Sequence, residues 1–168
     1  NFAKVLFNRY RGRVKYWLTF NEINMLTVPF GAVFCAGMLD KADNDEQSRY
    51  QAMHNQLVAS ALAVKMAHEI DPNNKLGCML AYHNGYPYTC HPKDVFFAQQ
   101  YCQIHNNIAG DVHVRGKYPG FALRYFDENN IDIKMLEQDK EILQNGTVDF
   151  ISISYYSSNC VSLTKEDA

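Results

Sequence analysis

Long apolar runs are missing from this sequence: none reaches the roughly 18 residues that a membrane-crossing helix needs, so nothing reads as a membrane span. An excess of either charge is missing too. Net charge is -2, with acidic and basic residues interspersed. Without a basic stripe there is no electrostatic footprint for nucleic acid or for an anionic membrane surface. Paired cysteines are also missing. Cys35, Cys78, Cys90, Cys102 and Cys160 are odd in number, scattered, and form no Cys-x-x-Cys. That excludes a disulfide framework and points to reduced thiols in a cytoplasmic protein, each expected as a small buried hydrophobe. No repeat, low-complexity tract or linker divides the chain. No signal segment is recognisable either. The sequence opens Asn1-Phe2-Ala3-Lys4, inside an expected helix and without an initiator Met, so targeting is not legible at this end.

What is present suits one folded unit over 1–168: 168 residues, 47% hydrophobic and 20% charged, the balance of a globular domain. Phe2, Val5 and Leu6 have helical spacing, and Gly12 can close that helix in a left-handed conformation. Val14 to Phe20 reads as a strand. Gln47 to Ile70 is the clearest helix, with Met53, Leu57, Val58, Ala61 and Leu62 on one face, and Asp71-Pro72-Asn73-Asn74 stops it. Leu76 to Ala81 is a short buried strand. Pro92 starts a helix running to Asn106, with Asp94 in its first turn favouring the dipole. Another helix begins near Pro119, and "LEQDKEILQ" is a short one. Thr147 to Tyr156 is a strand. Helices alternating with strands imply parallel βαβ units, with Val14–Phe20, Leu76–Ala81 and Val148–Tyr155 as parallel neighbours. Leu26 to Asn44 and Tyr82 to His91 are the expected loops after strands. In α/β barrels the chemistry sits on such loops, at the C-terminal strand ends.

The first strand ends oddly, in Thr19-Phe20-Asn21-Glu22-Ile23-Asn24. Taken alone, Asn-Glu after a strand is a solvated turn, and "SYY" is a strand end with core tyrosines. His54 and His68, on a helix, read as hydrogen-bonded or exposed. His83, Cys90 and His91 fit no common zinc spacing, and structural zinc normally takes four ligands. No metal or cofactor is expected.

The order of several segments changes the weighing. "WLTFNEIN" resembles the acid/base signature of glycoside hydrolase family 1, at the end of the fourth barrel strand. "YQAMHNQLVASALAVKMAHEIDPNNKLGCMLA", "YPYTCHPKDVFFA", "RGKYPGFALRYF" and "VDFISISYYSS" follow in that family's order. Asn-Glu-Ile-Asn and Ser-Tyr-Tyr are similar to the bacterial 6-phospho-β-glucosidase branch. The resemblance implies a partial TIM (β/α)8 barrel, about strands 4 to 6 with their helices. It implies Glu22 as general acid/base, Asn21 as the amide that hydrogen-bonds the sugar 2-hydroxyl, and Tyr156 as the phenol that contacts the nucleophile. The substrate implied is a phosphorylated β-glucoside. The residue types suit that chemistry: one carboxylic acid protonates the leaving oxygen, and a second carboxylate works from the other face. An apolar setting from the sequence neighbours Trp17 and Phe20 is expected to raise the pKa of Glu22 towards the working pH.

The sequence departs from the family in four respects. No Thr-Glu-Asn-Gly-like segment supplies a nucleophile; the later acidic residues, from Asp127 to Asp167, lie in no such pattern. The first three strands and the phosphate-binding segment after strand eight have no counterpart here. Leu136 stands where relatives carry a Ser or Thr N-cap, which puts the start of that helix in doubt. Ser154 stands where many relatives have Asn. An unphosphorylated β-glucosidase, a 6-phospho-β-galactosidase and a non-catalytic barrel fragment remain as alternatives. The open edges of a cut barrel lead to the expectation of a homo-oligomer.

Overall fold

A computed structural model describes residues 2–37 and 44–165. Asn1, part of the Leu26–Asn44 segment, and Glu166 and Asp167 lie outside the described residues. The elements run α1 (Phe2–Arg9), β1 (Tyr16–Asn21), a 3-10 turn (Ile23–Thr27), α2 (Pro29–Ala36), α3 (Glu46–Ile70), β2 (Lys75–Pro87), α4 (Pro92–Cys102), a π turn (Gln103–Asn107), α5 (Ile108–Arg115), α6 (Gly120–Glu128), α7 (Asp139–Asn145) and β3 (Phe150–Val161). The strands form one sheet in the order β1-β2-β3, both pairs parallel.

Helices cover one face of the sheet. Cys78 and Leu80 of β2 pack there with Tyr50, Met53, Leu57 and Ala61 of α3 and with Ile108 and Val112 of α5. Nearer the strand N-termini, Phe7, Val64, Ala67 and Leu76 form a second cluster with Trp17. The other face carries Tyr16 and Phe150, whose rings meet at 6.0 Å. They meet across Gly77, where an added Cβ would lie 2.3 Å from the Phe150 ring.

Asp45 caps α3 by accepting the Ser48 N–H at 2.6 Å, and Gly12 takes the left-handed turn after α1 with φ 70°. The buried stripe of α3 differs from the expected one. It contains Met53, Leu57 and Ala61 but continues through Tyr50, His54, Val64 and Ala67, while Leu62 is exposed. A stripe extrapolated straight from a few residues drifts off the real contact line of a 25-residue helix, because 3.6 residues per turn does not repeat evenly.

Other boundaries move for physical reasons. The expected loop over Tyr82–His91 is in its first half strand, because β2 stays paired with β3 as far as Pro87–Val161. The Leu26–Asn44 loop contains α2, opened by Pro29 and closed by Gly37 at φ 65°. The helix from Pro92 gives way at Cys102 to the π turn and then α5. With Leu136 unable to cap, α7 starts only at Asp139, whose carboxylate accepts the Leu136 N–H at 2.7 Å.

Of the cysteines only Cys78 is buried; Cys35 and Cys102 are partly covered, and Cys90 and Cys160 are exposed. The last two sit at strand and loop ends rather than in the core. His54 and His68 are hydrogen-bonded, to Tyr118 with Asp139 and to Asp149 respectively. His91 accepts the Lys93 N–H at the start of α4.

Candidate active site

Two bulges build the site. Between the pairs Leu18–Gly77 and Asn21–Met79, Thr19 and Phe20 of β1 face the single residue Cys78 of β2. The extra residue resets the alternation. Thr19 bonds Ser60 of α3 at 2.7 Å, Phe20 packs on the helical core, and Asn21 comes out exposed on the opposite face. Between Tyr82–Tyr155 and Asn84–Ser158, Tyr156 and Ser157 of β3 face His83 alone.

Glu22 follows β1 in a left-handed conformation, φ 53° and ψ 45°, which for a non-glycine residue costs of order 1–3 kcal/mol. Surrounding bonds hold it there. Its N–H donates to Met79 O at 3.0 Å, and its carbonyl accepts the Met25 N–H at 2.9 Å. Asn24 anchors the turn: Nδ2 donates to Ala81 O at 2.6 Å and to His105 O at 2.9 Å, and Oδ1 accepts the Ala81 N–H at 3.0 Å. Thr27 Oγ1 donates to Asn24 O at 2.8 Å.

The Glu22 carboxylate turns towards β3, where the Tyr156 hydroxyl donates to Oε1 at 2.6 Å. That acceptor, the largest influence on the phenol, raises the Tyr156 pKa above its ordinary value. Both residues line a cavity of about 380 Å³ with Met25, Phe30, Ala81, Tyr82, His83, Ser157 and Asn159. A larger cavity, about 470 Å³, lies between α4, the π turn and α6 and is lined by Phe97, Tyr101, Phe121 and Tyr125 among others. It contains neither Glu22 nor Tyr156, so size does not mark the chemistry here.

The structure thus brings Glu22 and Tyr156 together. Asn21 is adjacent in sequence and exposed, but it is not part of the cavity wall. Tyr156 contacts Glu22 itself; the nucleophile it was expected to touch has no counterpart in this sequence. Trp17 is not a neighbour of Glu22. It lies towards the other end of β1 on the helical side, edge-on to Phe7 at 5.1 Å and bonded to Asn74. The apolar wall comes from Met25 and Phe30 instead. Asn24 and His83 were not expected at the site.

The chain resembles known proteins along its whole length. The profile of Glycosyl hydrolase family 1 matches residues 1–168. The chain is 50% identical over 163 residues, 96% of its length, to the 6-phospho-beta-glucosidase AscB of Escherichia coli (strain K12), covering 33% of that relative. It is 47% identical over 170 residues, 99% of its length, to the aryl-phospho-beta-D-glucosidase BglH of Bacillus subtilis (strain 168), covering 35% of it. Among solved structures, a beta-glucosidase from Thermotoga maritima in complex with glucoimidazole superposes with a TM-score of 0.76 at 26% identity, over 99% of this chain and 37% of that one. The chain belongs to glycosyl hydrolase family 1. Its fold is part of that family's α/β barrel, and it spans about a third of the length of the curated relatives it matches.

Proposed function

We propose that this chain is the central part, about strands four to six, of a retaining 6-phospho-β-glucosidase in which Glu22 is the general acid/base. The observation that carries the reading is the Tyr156–Glu22 bond of 2.6 Å across the C-terminal ends of parallel strands. The relatives 6-phospho-beta-glucosidase AscB and aryl-phospho-beta-D-glucosidase BglH support the substrate class, a phosphorylated β-glucoside.

In the first step protonated Glu22 gives its proton to the glycosidic oxygen as the bond to the anomeric carbon breaks. In the second, the carboxylate takes a proton from the attacking water. Tyr156 orients the carboxylate by donating a hydrogen bond to Oε1. Asn21 is assigned to the sugar 2-hydroxyl, a contact that strengthens in the transition state. The carboxylate that attacks the anomeric carbon and the groups that hold the phosphate come from other parts of the barrel. The reaction so drawn calls for no cofactor or metal, and the free thiols suit a cytoplasmic protein.

The test uses a complete barrel in which this chain replaces the matching third of the E. coli relative. Glu22→Gln keeps the shape but cannot cycle a proton. Turnover of 6-phospho-β-glucosides with poor leaving groups is expected to fall about 10²–10⁴-fold. Glucosides with nitrophenolate-type leaving groups need little protonation and should lose less in the first step. An equal loss on both substrate types overturns the general-acid assignment.

A further inference from the structure

We propose that His83 reads the leaving group: its imidazole is the hydrogen-bonding wall of the cavity beside Glu22 and favours leaving groups that carry hydroxyls, a second sugar ring, over bare aryl groups. The inference rests on the glycosidase reading of Glu22.

The backbone is built to aim this ring. His83 stands at the β2–β3 bulge, opposite Tyr156 and Ser157, and bulges beside active sites re-aim side chains. Its peptide groups are bound by the side chain of Asn106, where Oδ1 accepts the His83 N–H at 2.9 Å and Nδ2 donates to His83 O at 2.8 Å. Asn106 is 2% exposed and lies in the π turn, an irregularity that recurs at functional sites. A buried amide and a π turn together thus fix one residue of the cavity wall.

The ring itself is left with little to bind. Nε2 lies 3.2 Å from Met25 Sδ, and a thioether is only a weak acceptor. The adjacent His105, 5.6 Å away ring to ring, is by contrast committed through Nδ1 to Thr27 Oγ1 at 2.8 Å. Burial lowers the His83 pKa, with the Glu22 carboxylate opposing in part. The ring is therefore neutral near pH 7, with one N–H to give and one lone pair to accept. Met25 and Phe30 offer apolar surface alongside it. A sugar hydroxyl can use both the surface and the ring; an unsubstituted aryl group uses the surface alone.

The experiment compares the same complete barrel carrying His83, His83→Phe and His83→Gln. Values of kcat/KM are measured for 6-phosphocellobiose and for phenyl 6-phospho-β-glucoside. His83→Phe is expected to lower the disaccharide-to-aryl ratio about tenfold, the worth of one well-placed hydrogen bond, mainly through KM. His83→Gln, which keeps a donor and an acceptor, should recover most of the ratio. An unchanged ratio in His83→Phe overturns the proposal, and so does a loss that Gln does not repair. A barrel with native His83 that hydrolyses neither compound overturns the glycosidase reading itself, a different result from an active barrel whose ratio does not move.

Discussion

Asn24 stands in for a strand at the point where β1 gives out. Past Asn21 no further β1 residue pairs with β2, yet the Ala81 N–H and C=O are buried and need partners. One side-chain amide supplies both, and the backbone turns through Glu22 above it. Asn24→Ala would orphan both groups, and an unsatisfied buried group typically costs about 1–3 kcal/mol. We expect a lower urea midpoint with an unchanged slope, and in a complete barrel a larger fall in kcat than in substrate affinity, because Glu22 loses its footing. Aspartate should not rescue, since it accepts but cannot donate when ionised. Glu22 and Tyr156 stood out because they sit in short motifs with a known order. Asn24 lay inside the same hexapeptide, but its partner is Ala81, far along the chain. His83 drew notice only as a zinc ligand whose spacing did not fit, because the bulge and the Asn106 clamp that aim it are properties of strand pairing rather than of local sequence.

Among the elements, the ends of β2 and β3 are latched by one residue of α4. Asp94 is fully buried, and its carboxylate accepts hydrogen bonds from Thr89 (2.6 Å), Ser162 (2.8 Å), the Leu163 N–H (3.0 Å) and Thr164 (2.9 Å). Led by the Thr89 hydroxyl, these donors hold its pKa far below the ordinary carboxylate range. Because the folded value is the lower one, its contribution is full above the unfolded pKa of about 3.9 and declines as the pH falls below that. His113 acts in a higher window. Burial pushes it down to about 4 from 6.5, so the unfolded chain takes up the proton first. Stability should drop between pH 6.5 and 4, by at most on the order of 3 kcal/mol for this group. Denaturant midpoints measured across pH should therefore fall in two stages. His105, also pushed down to about 4 by burial, acts in the same window, so His113→Leu should make the upper stage shallower and Asp94→Asn the lower; a variant that leaves its stage unchanged refutes the assignment. Composition and spacing made the strands and the long helix readable. The extension of β2 through His-Asn-Gly was not, since those residues favour turns and only pairing with β3 overrides them. The helix α2 was signalled by Pro29 and Gly37, but its apolar run without a polar face hid it among loop residues.

At the scale of the whole molecule, the sheet is unfinished on both sides. Residues level with each other in the β2–β3 register share a face, yet Cys78 is 1% exposed and its partner Ile151 44%, and Leu80 is 5% exposed and Ile153 55%. The helices that cover β2 stop short of β3. On the opposite face Tyr16 and Leu18 are exposed as well, where a closed barrel would fill the space with side chains. Among the described residues each outer strand also presents an unpaired edge. Apolar faces and free edges are association sites, so the 168-residue chain by itself is expected to self-associate, most simply as a two-fold dimer. Light scattering should give a mass that rises with concentration, and Ile151→Lys with Ile153→Lys should shift it towards monomer. The same chain should hydrolyse no 6-phospho-β-glucoside above a Glu22→Gln control. A retaining site needs a second carboxylate roughly 5–5.5 Å from the acid/base, and among the described residues the cavity beside Glu22 is lined by no other carboxylate. A concentration-independent monomer that binds no apolar dye would mean that the exposed isoleucines are covered by the chain itself. Measured turnover would mean that another carboxylate of this sequence reaches the face of the sugar opposite Glu22.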